Sequence, residues 1–287
     1  MKGTGVALVT PFNTDYSIDF TALGNIIDHV IHGGVEYVVA LGTTGETPTL
    51  TKAEKKQVYD FIVKHVNGRV PCIAGIGGNY TAEVVETIQS FNFSGYDAIL
   101  SVSPYYNKPN QEGIYQHYMA IAHAAPKPVL IYNVPGRTGS SISAATTLRL
   151  ANASGNFLGT KEASGNFEQI MDILKEKPAG FAVISGDDNL TLPLLSIGMI
   201  GVISVVANAI PKDFSNMVRA GLQGDYETAR MLHYSRYEAM KSIFQDGSPG
   251  GVKILLNELG LCGTTVRLPL APVNKELETR LRSLAIG

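Results

Sequence analysis

The chain has 287 residues, a formal net charge of -2 and an apolar fraction of 45%. This length suits one α/β barrel of about 250 residues, and the even charge balance offers no basic patch to a polyanion, which argues against nucleic acid. No stretch approaches the roughly 18 uninterrupted apolar residues of a membrane span.

The elements follow a repeat. The first apolar run, Val6–Thr10, predicts a strand. It lies within the segment Met1 to Phe12, which is too short and too broken by glycines for a secretory signal. Leu23, Ile26, Ile27, Val30 and Ile31 then recur at helical spacing, between Asp19 as N-cap and Gly33–Gly34 as C-terminus. On that helix His29 and His32 are three apart, and the spacing reads as a solvated face rather than a metal pair. Strand runs follow at Tyr37–Leu41, Cys72–Gly75, Ala98–Val102, Val129–Tyr132, Phe157–Lys161, Ala182–Ser185 and Gly201–Val205. Helical patterns lie between them. Their starts are marked by Thr51 (a capping box with Glu54), Thr81 and Ser143.

Eight strand–helix units predict a (β/α)8 TIM barrel, here residues 1–224. From Pro211 onward only helices are expected, at about Lys212–Gln223, Tyr226–Ile243, Gly251–Leu259 and Asn274–Leu284. The last three make a C-terminal helical extension, residues 225–287, with Pro269 and Pro272 keeping Leu268–Val273 extended. Cys72 and Cys262 are the only cysteines and form no CxxC, so reduced thiols and a cytoplasmic location are expected. No His, Cys, Asp or Glu cluster has convincing metal-ligand spacing.

Barrel chemistry collects at the C-terminal strand ends. Hydroxyls, glycines and a few charges gather after each run, from Gly42-Thr43-Thr44-Gly45-Glu46 to Ser185-Gly186-Asp187-Asp188. Lys161 ends an apolar strand, which places its amine in the mouth, where desolvation disfavours a charged amine and a free amine attacks a ketone. A structural lysine paired with Glu162 fits the same position. Tyr132 ends the neighbouring strand and suits proton transfer, or a half-buried strand tyrosine. Thr43 and Thr44 offer hydroxyls between glycines, or form an ordinary turn. Arg137 offers a fork for a carboxylate, or an ion pair that pins its loop. Lys253 sits in an apolar helical run and reads as amphipathic cover.

Six blocks carry a family resemblance: Gly42–Glu46, Ser103–Pro109, Tyr132–Thr138, Gly159–Gly165, Ser185–Asp188 and Gly201–Val205. Through them the chain resembles the dihydrodipicolinate (4-hydroxy-tetrahydrodipicolinate) synthases, pyruvate-dependent class I aldolases, over essentially its whole length. The resemblance implies condensation of pyruvate with L-aspartate 4-semialdehyde, leading into lysine and diaminopimelate synthesis, without metal or cofactor. It implies that Lys161 forms the Schiff base and Tyr132 moves the proton. It also implies that Thr43, Tyr132 and Tyr106 match a hydroxyl relay, with Tyr106 supplied to a neighbouring subunit of a homotetramer. By the same resemblance, Thr44 and Ile203 match positions that hold pyruvate, Arg137 matches the residue that takes the semialdehyde carboxylate, and Gly186 and Asp187 line the same mouth. Asn79, Glu83 and Tyr105 match a regulatory lysine pocket. Lys52 and Lys55 stand where feedback-sensitive members carry histidines, so weak or absent lysine inhibition is expected if they point inward. The nearest alternatives are N-acetylneuraminate lyase or a 2-keto-3-deoxy sugar-acid aldolase, which match less well at Arg137 and at Tyr105-Tyr106. After them comes a non-catalytic binding barrel, against which the intact set Lys161, Tyr132, Thr43 and Tyr106 argues.

Overall fold

The structure, a computed structural model, describes residues 1–285. The strands are β1 (Gly3–Ala7), β2 (Tyr37–Ala40), β3 (Cys72–Gly75), β4 (Ala98–Val102), β5 (Val129–Asn133), β6 (Phe157–Glu162), β7 (Ala182–Ser185) and β8 (Gly201–Ser204). All neighbours pair in parallel, and β8 returns to β1 to close the barrel. The helices of the outer ring are α1 (Phe20–His32), α2 (Lys52–Val66), α3 (Thr81–Ser90), α4 (Gln111–Ala124), α6 (Ala144–Ala153), α7 (Phe167–Glu176), α8 (Thr191–Ser196) and α9 (Pro211–Gln223), with the single turn α5 (Pro135–Thr138) at the mouth after β5. Three more follow: α10 (Tyr226–Ser242), α11 (Gly250–Glu258) and α12 (Lys275–Ala285). The expected (β/α)8 barrel with a C-terminal helical extension is the observed fold. The last two residues of that extension lie outside the described residues. None of the described helices is long and apolar enough to cross a membrane.

Side chains alternate between the faces of a strand. Tyr37, Val39, Ile73, Leu100, Leu130 and Ile184 fill the barrel, while Val38, Ala74, Ile99, Ile131 and Val183 face the helices. The first strand begins three residues earlier than the apolar run Val6–Thr10 implies. Glycine carries little strand preference, yet β1 opens with Gly3 and Gly5. A Cβ on Gly5 would lie 2.0 Å from the Tyr37 ring, which occupies the barrel interior and donates its hydroxyl to the Val202 carbonyl at 3.1 Å.

The helix ends follow local chemistry. Asp19 caps α1 through the Ala22 amide, and Thr51 with Glu54 forms the capping box of α2. Such a cap contributes about 1 kcal/mol. Ser143 caps α6. Thr81 is not a cap: Tyr80 holds that position, and the Thr81 hydroxyl meets His117 Nδ1 at 2.9 Å. His29 is half-buried against the Ala209 carbonyl, so only His32 belongs to a solvated face.

The extension is not a loose appendage. Met240, Ile243, Val252, Leu255, Leu277 and Leu281 merge with the core between barrel and helices. Lys253 is not surface cover. Its side chain is fully buried and its Nζ lies 2.6 Å from Glu46 Oε1. A lysine stem in apolar text covers a surface only when the head reaches water, and here a carboxylate from the strand-two loop holds the head inside. The stretch after the first proline also differs from expectation: Leu268 and Pro269 form a turn across a cis peptide, closed by Leu270 N–H on the Arg267 carbonyl at 3.0 Å.

Candidate active site

A cavity of about 300 Å³ opens at the C-terminal ends of β2, β3, β4 and β5. Its floor includes Leu41, Gly75, Leu100, Val102, Tyr132 and Val134, and its rim includes Thr43, Thr47, Lys55, Tyr105, Arg137 and Thr138. Apolar strand residues therefore form the base and loop residues supply the polar groups, as a ligand site requires.

Tyr132 and Lys161 are register partners on β5 and β6, and Lys161 is also paired with Ile184 on β7. Both are buried, at 6% and 5% exposure. The Lys161 amine sits 4.3 Å from the centroid of the Tyr132 ring. Tyr132 thus touches both the cavity and the amine. Gly186 makes room for the lysine stem, because a Cβ there would lie 2.9 Å from Lys161 Cε and 2.5 Å from Ala163 Cβ.

The alternative pairing of Lys161 with Glu162 is not formed. Successive strand residues point to opposite faces, and Glu162 turns outward to accept from Asn133 Nδ2 at 3.0 Å and the Ser164 amide at 3.0 Å. Burial raises the Glu162 carboxyl above its usual range, against those hydrogen bonds. Asp187 is half-buried near the amine: desolvation pushes its carboxyl up and the Lys161 charge opposes the shift.

Thr44 is buried beneath the turn and Thr43 faces the cavity. Ile203 belongs to the same interior cluster as Tyr132. Arg137 is exposed on the rim, on the short α5. Tyr106 is not brought to this group. It is 88% exposed, with a left-handed backbone at φ 71°. At the outer side of the cavity Asn79 Nδ2 donates to the Tyr105 carbonyl at 3.2 Å, while Glu83 is exposed in the first turn of α3. Of the two lysines expected near this place, Lys55 lines the cavity and Lys52 is exposed.

Two residues of the polar blocks have roles that sequence reading missed. Asp188 is wholly buried and accepts from the Val206 amide at 2.8 Å and the Val205 amide at 3.2 Å. It therefore fixes the chain just after Ile203. Burial pushes its carboxyl up to about 6, against those hydrogen bonds and the Lys161 charge. Glu46, at the end of the Thr43–Thr44 block, is the other. An acid adjoining a predicted site residue was the available signal, but its direction depends on backbone geometry that spacing does not encode.

Fold and site together define a class: a (β/α)8 barrel with a buried amine at the C-terminal mouth, set against a tyrosine of the preceding strand. The model of the dihydrodipicolinate synthetase family matches residues 1–286, and the chain belongs to that family. Named 4-hydroxy-tetrahydrodipicolinate synthases from Parabacteroides distasonis and Flavobacterium psychrophilum are 52% and 53% identical to it, over 100% and 97% of this chain and 98% and 95% of theirs. The crystal structure of dihydrodipicolinate synthase from Aquifex aeolicus is 41% identical, covers 99% of this chain and 97% of its own, and superposes with a TM-score of 0.95.

Proposed function

We propose that this chain condenses pyruvate with L-aspartate 4-semialdehyde, the 4-hydroxy-tetrahydrodipicolinate synthase reaction, through an imine on Lys161. The observation that carries the reading is the buried Lys161 amine against the ring of Tyr132, which lines the cavity together with Thr43 and Arg137. Lys161 Nζ attacks C2 of pyruvate and the carbinolamine loses water. Tyr132 supplies and recovers the proton. Loss of a C3 proton gives the enamine, whose carbon attacks the aldehyde and forms the new C–C bond. The resulting alkoxide takes a proton, and the amine of the semialdehyde then adds to the imine carbon, closing the ring and expelling the Lys161 amine. Thr44, Ile203, Gly186 and Asp187 shape the pyruvate end of the site.

The test is intact-mass measurement after borohydride reduction with pyruvate, followed by a condensation assay with the semialdehyde. A single pyruvyl adduct with turnover supports the reading. A folded protein with no adduct removes it.

Arg137 is assigned to the semialdehyde carboxylate. A lost charge-assisted contact is worth roughly 1.5–3 kcal/mol, so Arg137→Ala is expected to raise KM for the semialdehyde on the order of 10- to 100-fold and leave KM for pyruvate nearly unchanged. Equal increases for both substrates would count against the role and reopen the sugar-acid aldolase reading.

Asn79, Glu83 and Tyr105 are assigned to a regulatory pocket with little affinity for L-lysine, because the Lys55 ammonium lines the adjoining cavity and repels a second one. Steady-state assays should show no inhibition by submillimolar lysine; strong inhibition there removes the assignment. The active form is read as a cytoplasmic homotetramer in which the exposed Tyr106 completes the relay of a neighbouring subunit. Sedimentation of the active enzyme as a monomer would contradict it.

A further inference from the structure

Glu46 follows the turn Thr43–Gly45, yet its side chain is buried away from solvent and paired with the C-terminal extension. Oε1 accepts from Lys253 Nζ at 2.6 Å, and Oε2 accepts from the Arg267 amide at 3.0 Å. Lys253 Nζ also donates to the Thr265 carbonyl at 2.8 Å. The Lys253 amine and the Arg267 guanidinium lie 4.5 and 4.4 Å from the centroid of the Phe12 ring. Arg267 reaches on to the Thr49 carbonyl at 3.0 Å and to Glu54 at the start of α2, so one segment of the extension grips both ends of the stretch after the turn.

The turn needs holding. Leu41 and Glu46, on either side of it, have φ of 51° and 52°, a left-handed conformation that non-glycine residues keep only when their surroundings enforce it. Local bonds contribute, from the Thr10 hydroxyl to the Gly45 carbonyl and from the Thr47 hydroxyl to the Leu41 and Gly42 carbonyls. The Glu46 carboxylate ties the same turn to residues more than two hundred positions away. A buried ion pair is often no more stabilising than apolar side chains of equal volume. Its distinctive contribution is direction: it fixes where the turn sits.

We propose that Glu46 is a positioning residue that sets Thr43 and Thr44 against pyruvate, which makes the C-terminal extension part of the catalytic apparatus. The inference rests on the reading that these threonines serve the pyruvate end of the site.

Two variants test it. Glu46→Asp keeps the charge and tolerates the left-handed backbone, but shortens the reach. Glu46→Leu with Lys253→Met removes both charges at similar volume and so keeps a packed interior. Amide exchange of the peptide spanning residues 42–50 should accelerate in both, with β5 and β6 peptides unchanged. Misplacing substrate-facing groups by a fraction of their size is costly. In the double variant, kcat should therefore fall on the order of 10²-fold and KM for pyruvate rise about tenfold, with KM for the semialdehyde within about twofold. Glu46→Asp should show smaller losses in the same pattern.

Parent-like exchange at the turn overturns the proposal. So does faster exchange with parent kcat and pyruvate KM, or a parallel rise in both KM values. Borohydride trapping on the parent is run beside these: a missing adduct there sinks the imine reading, while exchange and kcat still judge the anchor.

Discussion

Lys161→Ala is expected to abolish the borohydride-trapped pyruvyl adduct and to lower kcat by on the order of 10⁴-fold or more, since removal of a covalent nucleophile leaves only binding and electrostatic assistance. The fold should survive. Lys161 lies at the mouth end of β6, and the interior below it is packed by Ile73, Leu130, Ile184 and their neighbours. The measurement is intact mass after reduction, paired with condensation kinetics and thermal melting. An adduct that persists at another lysine would move the imine elsewhere. Substantial turnover by a folded Lys161→Ala protein would end the Schiff-base assignment.

Tyr132→Phe is expected to lower kcat by about 10²- to 10⁴-fold, the range for loss of a placed proton donor and acceptor. The substitution keeps the ring under the Lys161 amine and its place in the interior cluster, and it deletes only the hydroxyl. Trapping should still give an adduct on Lys161, formed more slowly, because the nucleophile remains while the route for the carbinolamine proton is lost. Rapid-quench trapping separates this from damage to binding. A kcat within twofold of the parent would reduce Tyr132 to a strand tyrosine that fills space.

These variants depend on a site that was partly readable beforehand. Lys161 and Tyr132 each end an apolar run, and a barrel places every strand end at one mouth, so their meeting followed from topology. The first strand was harder: Gly3 and Gly5 carry little strand preference, and their reason for being there is the ring of Tyr37 on the next strand. Lys253 was misread for a related reason. Its neighbours Val252, Ile254, Leu255 and Leu256 announce burial, but nothing within the helix reveals that a carboxylate 207 positions earlier meets the amine.

The alternation of strands and helices, the caps at Asp19, Thr51 and Ser143, and the placement of Lys161 at a strand end all follow from the order of the residues. Those features are written in short-range periodicity and in local hydrogen bonding. Packing of distant elements fixes the rest: Glu162 faces out to Asn133, Lys55 rather than Lys52 lines the cavity, Asp188 holds the backbone after Ile203, and Glu46 turns to the extension. Each of these depends on closing the ring of strands and docking the last helices, which brings together groups that no local pattern relates.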